Sequence, residues 1–455
     1  APTAPTAPTA PTAPTAPTPR TRPTPRTATP PTAPTATAPT PPTATPLTPE
    51  ASPQPDAAAL ARCVGDVAGF VDHCWGRRPH QLPAPDPQGF ADLLSLGAVD
   101  HVLATTAPRT PSFRLVKDGN PLPPASYTRS GTVGGVRYEG AADVARIYRS
   151  FAEGATIVLQ SLHRSWGPLA SFCRSLELFL SHPAQANAYL TPAGATALAP
   201  HHDTHDVFVL QVHGHKHWRV SEPMVDAPLP RHRSHRELAA AQPVLFETDL
   251  MPGQCLYLPR GFVHSATGQE GMSLHVTIGI HAVTVHDVLA AALDRAAEEP
   301  DLRTALPLGF ARGDGAETLA DAVAAGMARA SLWLGSLDTA PVAEEMRRRF
   351  WSQRLPLLEG QLQQLERLDQ LHDGSVVVRR AGSVCEVLDD GDASRLRLLL
   401  GDRELVLPRP VEPALLRLIG GAPLAVSELA DLLDASSRLV LVRRLVIEGV
   451  VEVCG

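Results

Sequence analysis

The sequence contains no apolar run long enough to cross a membrane. No stretch approaches the roughly eighteen apolar residues of a transmembrane helix. The N-terminal residues also show no positively charged segment followed by an apolar one, as a secretory signal would. These absences predict a soluble, cytoplasmic protein.

Cysteine is scarce and scattered along the chain. Zinc knuckles and disulfide scaffolds need clustered cysteines, and the six cysteines of this sequence form no CxxC pair. We therefore expect reduced, mostly buried thiols. The six are Cys63, Cys74, Cys173, Cys255, Cys385 and Cys454.

The sequence also lacks an excess of positive charge. It has 40 Lys and Arg residues against 47 Asp and Glu residues, for a net charge of -7 at pH 7. A protein whose main task is to bind nucleic acid carries a basic surface. The composition therefore argues against that function.

The first 56 residues differ in composition from the remainder. They begin APTAPTAPTAPTAPTAPTPRTRPTPRT and contain almost no side chain that could form a core. Because such a segment cannot offset the entropy lost on ordering, we predict a disordered tail over residues 1–56. An interaction stalk or a glycosylated stalk is the alternative.

Apolar spacing then predicts helices followed by a region of short strands. AAALARCVGDVAGFVDHCW, from residue 57, is spaced as an amphipathic helix. Between residues 186 and 280, Pro, Gly and polar turns separate short apolar runs such as DVFVLQV, QCLYLP and SLHVTIGI. This pattern is typical of an antiparallel barrel or sandwich.

The last part of the chain is predicted to be mainly helical. VAEEMRRRFWSQRLPLLEGQLQQLERLDQL indicates one long helix that packs on another helix or on a second subunit. In the final eighty residues, VEPALLRLI, VSELADLL and SSRLVLVRRLVIEG predict three short helices before a closing strand, VVEVC. That order is similar to a winged helix.

The stretch APHHDTHDVFVLQVHGHKHWRV, residues 199–220, holds six histidines and two aspartates. On extended chain only residues two apart point to the same side, which selects His201 and Asp203. An imidazole and a carboxylate so placed form two corners of the 2-His-1-carboxylate triad that binds Fe(II). CLYLPRGFVHSATG supplies a third ligand, His264, after a strand and a Pro-Arg-Gly turn.

Two segments of the chain resemble a known family. NAYLTPAGATALAPHHDTHDVFVLQVHGHKHWRV and YLPRGFVH resemble the core of the JmjC ribosomal oxygenases, cupin-fold Fe(II)- and 2-oxoglutarate-dependent dioxygenases that hydroxylate ribosomal proteins. The resemblance extends to FVDHCWGRRPHQLP, to the helices after the strand region and to the tail. It covers nearly everything except the Pro/Thr-rich segment.

The resemblance implies a mainly β fold with three folded regions. A double-stranded β-helix (cupin/JmjC) barrel forms the catalytic domain, residues 57–282. An α-helical region that mediates dimerisation follows at residues 283–374, and a C-terminal winged-helix-like domain occupies residues 375–455.

The resemblance also assigns site residues. His201, Asp203 and His264 become the catalytic metal ligands, the same three that spacing selects. Lys216, in GHKHW, would bind the 2-oxoglutarate carboxylate, as a buried carboxylate needs a cationic partner. The other predicted cosubstrate contacts are Asn187 and Tyr189 of NAYLTP and Thr277 of SLHVTIG.

The neighbouring histidines have a simpler interpretation. We expect His202 to point away from the ligand pair, and His205 and Asp206 to continue onto the next strand. His213, His215 and His217 surround a glycine turn beside Lys216. Each is expected to be a solvated or internally hydrogen-bonded residue rather than a ligand.

The predicted function is Fe(II)- and 2-oxoglutarate-dependent hydroxylation of an Arg or His side chain of a protein, with a ribosomal protein as the substrate by resemblance. A non-ribosomal peptide substrate remains open. So does a non-catalytic cupin and winged-helix regulator that binds DNA through Arg438, Arg443 and Arg444. The charge of residues 376–455 argues against the regulator. This segment contains ten Arg and no Lys but twelve acidic residues, so it lacks the positive charge of a DNA-binding domain.

Overall fold

The fold is described from a computed structural model, which defines residues 57–86, 89–195, 198–312, 316–388 and 391–454. The segment 1–56, for which the sequence predicts a disordered tail, lies outside the described residues. Within the described ranges, no helix is both long enough and apolar enough to span a bilayer. The cytoplasmic location stays a prediction.

Strands dominate the part of the chain before residue 282. They are β1 His80–Gln81, β2 Phe113–Lys117, β3 Asn120–Pro121, β4 Thr128–Val133, β5 Val136–Ala142, β6 Thr156–Leu159, β7 Ala184–Thr191, β8 Asp206–His213, β9 Lys216–Pro223, β10 Val244–Leu250, β11 Cys255–Leu258, β12 Phe262–Gly268 and β13 Ser273–Ile280. The helices of this part are α1 Ala58–Val64, α2 Val67–His73, α3 Leu96–Thr105, α4 Val144–Ala152, α5 Gly167–Leu180 and α6 Arg236–Ala240.

Eleven of these strands form two sheets that enclose the predicted site, and β4 pairs with β5 in a separate two-stranded sheet. One sheet has eight strands in the order β1-β11-β8-β13-β7-β6-β2-β3, and the other has three in the order β10-β9-β12. Neighbouring strands run antiparallel, so the prediction of a large antiparallel β structure is confirmed.

Strand β8 shows why its sequence is almost continuously apolar. Phe208 and Leu210 belong to the core between the large sheet and the helices α1 and α5. Val207 and Val209 face the opposite way, into a smaller core that includes Trp218 of β9. Because both faces of β8 are covered, alternation between apolar and polar residues is absent.

The front helix predicted from residue 57 is two helices in the structure. Helix α1 ends at Val64, where Gly65 adopts a positive φ of 76°. Asp66 then starts α2, because its side chain accepts a hydrogen bond from the backbone N–H of Gly69. Apolar spacing continues across the break, so periodicity alone did not reveal it.

The helical part of the chain lies after β13. Its helices are α7 Val285–Arg295, α8 Ala316–Ser336, α9 Thr339–Ser352 and α10 Gln361–Arg367. The prediction of one long helix over VAEEMRRRFWSQRLPLLEGQLQQLERLDQL is wrong, since α9 ends at Ser352 and α10 begins at Gln361. Pro356 cannot donate a helical hydrogen bond, and Gly360 has a positive φ of 80°.

The C-terminal region has its own apolar core. Its elements are β14 Val376–Arg379, β15 Glu386–Leu388, β16 Arg395–Leu399, β17 Glu404–Pro408, α11 Glu412–Ile419, β18 Leu424–Ala425, α12 Ala435–Ile447 and β19 Val451–Val453. Of the three predicted helices, VSELADLL forms only a 3-10 turn at Val426–Leu429. The winged-helix assignment and the domain limits stay predictions.

Five of the six cysteines are buried and Cys454 is exposed. All six are free thiols, with no disulfide among the described residues.

Candidate metal centre

His201 and His264 are held together by their backbones. The N–H of each donates to the carbonyl of the other, with N···O distances of 3.2 Å and 2.8 Å. This short bridge joins the segment before β8 to strand β12. The two imidazole rings consequently lie with their centroids 4.5 Å apart.

Asp203 completes a group of three possible metal ligands. Its Oδ2 lies 3.6 Å from Nε2 of His264. One ligand atom from each of His201, Asp203 and His264 can be chosen so that all three lie within 4.8 Å of one another. Three donors this close can be drawn onto a single ion by small side-chain movements.

Each of the two histidines uses Nδ1 in a backbone contact. Nδ1 of His201 lies 2.8 Å from the carbonyl oxygen of Ala199, and Nδ1 of His264 lies 3.1 Å from that of Phe262. A carbonyl can only accept, so in each ring Nδ1 carries the hydrogen and Nε2 keeps its lone pair. This is the tautomer that a metal-binding imidazole needs.

The electrostatics of the cluster also suit metal binding. Burial, with the neighbouring His201, lowers the pKa of His264 to about 4, so its imidazole is neutral at physiological pH. Burial alone would raise the pKa of Asp203, but His264 and His201 together hold it below its ordinary value. The cluster therefore offers a neutral imidazole from His264 and a carboxylate from Asp203.

His202 lies on the other side of the chain, as alternation predicts. It is buried, and its Nε2 donates to the carbonyl of His232 at 3.1 Å. Asp206 is also buried, and accepts hydrogen bonds from the Tyr257 hydroxyl and from the backbone N–H of Arg260. Neither belongs to the ligand cluster.

Of the other histidines of the motif, three lie away from the cluster and His205 lies in its cavity. His217 faces outward, with Nδ1 2.8 Å from Oδ1 of Asp249, which raises the pKa of His217. His213 and His215 remain at the turn before β9. His205 does reach the same cavity as the cluster, and its ring stacks on that of His281 at 5.0 Å.

Lys216 is fully buried, although it begins a strand that follows a turn. Its Nζ donates to Oγ1 of Thr191 at 2.8 Å and lies 3.4 Å from Nδ1 of His275. No carboxylate lies within ion-pair distance of it in the described ranges. Burial lowers the pKa of Lys216 to about 7. A buried amine without a counter-ion is costly unless an anion binds beside it.

Asn187, Tyr189 and Thr277 share one cavity with Lys216 and the ligand cluster. The cavity has a volume of about 270 Å³. Thr277 of β13 pairs with Asn187 of β7, and the next pair on the same face is His275 with Tyr189. The rings of that second pair stack at 4.9 Å. The structure thus gathers all seven predicted site residues around one space.

Sequence reasoning missed several residues of the site. Thr191 and His275 could have been found, since they continue the alternation of Tyr189 and Thr277 along β7 and β13. Trp218 follows Lys216 at the same alternate spacing on β9. Arg114 of β2 also lines the cavity, and no local pattern indicates it.

The arrangement can hold a divalent ion and an anionic ligand together. A facial set of two imidazoles and one carboxylate leaves coordination positions open on an octahedral ion. The ammonium group of Lys216 can pair with a carboxylate in the same cavity. This combination suits a metal-chelating dicarboxylate.

Comparison with known proteins agrees with this chemistry. Residues 163–288 match the family model described as the JmjC domain. Ribosomal oxygenase 1 of Gallus gallus is 31% identical over 252 residues, which cover 52% of this chain and 40% of that protein. The bifunctional lysine-specific demethylase and histidyl-hydroxylase NO66 of Drosophila pseudoobscura pseudoobscura is 28% identical over 247 residues, 51% of this chain and 24% of that protein.

A solved structure shares the fold. The X-ray structure of E. coli ycfD superimposes with a TM-score of 0.50 at 19% identity, covering 86% of this chain and 99% of that one. The matched region spans less than half the length of the curated relatives cited above. The resemblance to JmjC ribosomal oxygenases predicted from the sequence is confirmed.

Proposed function

We propose that this chain, which carries a JmjC domain and is similar to the ribosomal oxygenases, is an Fe(II)- and 2-oxoglutarate-dependent protein hydroxylase. The observation that carries the proposal is one cavity that contains both the His201, Asp203 and His264 cluster and the buried, unpaired ammonium of Lys216. A metal site alone would not need Lys216, and a carboxylate site alone would not need the cluster.

The residues of the chain have distinct roles in this proposal. His201, Asp203 and His264 would hold Fe(II), which together with 2-oxoglutarate supplies the oxygen chemistry when both are bound. Lys216 is protonated as it receives the distal carboxylate. Asn187, Tyr189 and Thr277 orient the cosubstrate by hydrogen bonds, and the apolar wall of Val207, Val209 and Trp218 excludes water.

The target is a protein side chain, Arg or His, and the lining of the cavity favours His. Among the described residues that line it, Asp203 is the sole carboxylate, and it belongs to the proposed ligand set. A guanidinium substrate would therefore find no free carboxylate in this lining to pair with. A neutral imidazole substrate needs no carboxylate partner. The names of the relatives support a ribosomal protein as the substrate.

We further propose that the helical region forms a homodimer. In the described part of α8, residues 318–336, no residue is buried. Leu332 is 77% exposed and Met327 is 68% exposed. Helix α7 exposes Val285, Leu289 and Leu293 at the spacing of one helix face. A second copy of the chain would cover these apolar side chains.

The arginines of α12 support a packing role rather than DNA binding. Arg438 pairs with Asp373, and Arg443 donates to the carbonyl of Leu368 at 2.6 Å. Arg444 pairs with Glu448 at 2.9 Å. These guanidinium groups are engaged by their own chain, whereas a DNA-binding face would present them to phosphates.

The proposal is tested by incubating ribosomal proteins with Fe(II), 2-oxoglutarate and the full chain, followed by mass spectrometry. Wild type should add one oxygen atom to one protein, and fragmentation should place it on His. Asp203→Ala should add none, while Asp226→Ala, at an exposed aspartate, should act as wild type. Oxygen addition by the Asp203→Ala protein would contradict the metal assignment.

A further inference from the structure

Arg114 is a second cation in the metal cavity, and its surroundings differ from those of a structural arginine. Its Nε is buried and finds no hydrogen-bond partner among the described residues. Arg260, Arg354 and Arg380 share this feature, but each of them pairs with a carboxylate. Buried Arg174, in contrast, donates to Glu177 at 3.1 Å and to the carbonyls of Gly382 and Leu355. In the described ranges no carboxylate lies within ion-pair distance of Arg114.

The sheet register directs Arg114 toward the site. Arg114 of β2 pairs with Val158 of β6, which pairs with Tyr189 of β7, which pairs with His275 of β13. Residues directly opposite each other on antiparallel neighbours project from the same face of a sheet. Arg114, Tyr189 and His275 therefore share the face that lines the cavity.

The two cations lie at different ends of an aromatic pair. The rings of Tyr189 and His275 stack, and Nδ1 of His275 lies 3.4 Å from Nζ of Lys216. Arg114 lies on the other side of Tyr189, because the strand order of the sheet runs from β13 through β7 and β6 to β2. Arg114 is thus at the opposite end of this pair from Lys216.

We propose that Arg114 binds the carboxylate of the cosubstrate that lies nearer the metal, while Lys216 binds the distal one. This inference rests on the proposed function. A planar guanidinium with a free Nε is suited to a carboxylate, since it can donate two parallel hydrogen bonds.

Two ligands separate the two ends of the cosubstrate. 2-Oxoglutarate carries both carboxylates, whereas 2-oxobutyrate keeps the 2-oxo acid end and lacks the distal carboxylate. The full chain is loaded with Mn²⁺, which does not turn over, and binding is followed by calorimetry. The binding of 2-oxobutyrate, the weaker ligand, is followed by water proton relaxation, which reports the displacement of water from Mn²⁺.

Arg114→Gln should weaken the binding of both ligands about tenfold or more, because one charge-assisted contact is lost. Lys216→Met should weaken 2-oxoglutarate alone. Arg114→Lys keeps the charge without the planar donors and should give an intermediate loss. Arg129→Gln, at an exposed arginine of β4, is the matched control and should bind as wild type.

Distinct results would overturn the inference. Unchanged affinities in Arg114→Gln would show that Arg114 does not contact the cosubstrate, and a loss confined to 2-oxoglutarate would place it at the distal carboxylate instead. If Arg114→Gln fails to fold, the same criteria apply to Arg114→Lys. A wild type that binds Mn²⁺ but neither ligand would overturn the proposed function and this inference together.

Discussion

His201 and His264, 63 positions apart in the sequence, exchange two backbone hydrogen bonds and so present their imidazoles side by side. The bridge connects the loop before β8 to β12, and the Nδ1 atoms of both rings are occupied by carbonyls of the same two chain segments. The position of each ring is therefore set twice, once by the backbone and once by the side chain. Such preorganisation favours a metal site over a chance cluster.

Adjacent alanine substitutions should separate metal binding from stability. His201→Ala should reduce Fe(II) affinity and turnover by more than about 100-fold, since a direct ligand matters at least as much as the groups that orient it. His202→Ala should keep both but lower the free energy of unfolding by about 1–2 kcal/mol, because a buried hydrogen bond to His232 is lost. Metal titration, turnover and denaturant unfolding of both variants test this contrast.

Equal losses of metal in the two variants would contradict the alternation of side chains in this segment. Unchanged metal affinity in His201→Ala would remove His201 from the ligand set.

Lys216→Met should stabilise the metal-free and ligand-free protein. Burial depresses the pKa of Lys216 from 10.5 to about 7, so below pH 7 the folded state holds a buried charge that the unfolded state keeps in water. Removing it should raise the free energy of unfolding by a few kcal/mol, on the order of 1.4 kcal/mol per pKa unit. Denaturant unfolding at pH 6.5 measures the difference.

The pH dependence of that difference has a definite sign. Between pH 7 and 10.5 the unfolded state binds more protons at Lys216 than the folded state, so wild type gains stability relative to Lys216→Met as the pH rises. The advantage of the variant should therefore shrink from pH 7 to pH 9. A constant difference across this range would contradict the buried, low-pKa amine.

Cosubstrate affinity should fall with rising pH in wild type. A bound carboxylate favours the ammonium form, so above a pKa of about 7 Lys216 must take up a proton when 2-oxoglutarate binds. The Kd should be flat below pH 7 and rise by about tenfold per pH unit above it. Calorimetry of the Mn²⁺-loaded protein from pH 6 to pH 9 checks the slope.

Lys216→Arg is the control for this slope, because a guanidinium stays protonated over the whole range. Its Kd should show no break near pH 7. The same break in Lys216→Arg would assign the titration to another group.

A charge on α8 should separate the proposed dimer into single chains. Leu332→Glu places a carboxylate among the exposed apolar side chains of α8, a helix in which no described residue is buried. Sedimentation equilibrium should show twice the chain mass for wild type and the single-chain mass for the variant. Val133→Glu, at a position 70% exposed on β4, should keep the wild-type mass. A wild type of single-chain mass would rule out the dimer.

Much of the site can be reached from local patterns in the sequence. The period of two in an extended segment is enough to pair His201 with Asp203 and to turn His202 away. The same period applied to β7 and β13 would have added Thr191 and His275 to Tyr189 and Thr277. Periodicity failed where a single residue changed the backbone, at Gly65 and at the Pro356 to Gly360 break, because apolar spacing continued on both sides.

The sequence by itself determined the strand-rich architecture and the His201 and Asp203 pair, because both depend on residue type and short-range spacing, and the family resemblance added Lys216. The tertiary structure alone decided that Arg114 joins the cavity, because β2 reaches β7 only through β6 in the assembled sheet. It also decided that Lys216 carries a pKa of about 7. Burial is a property of everything packed around a side chain, and the groups that bury this amine come from strands far apart in the sequence.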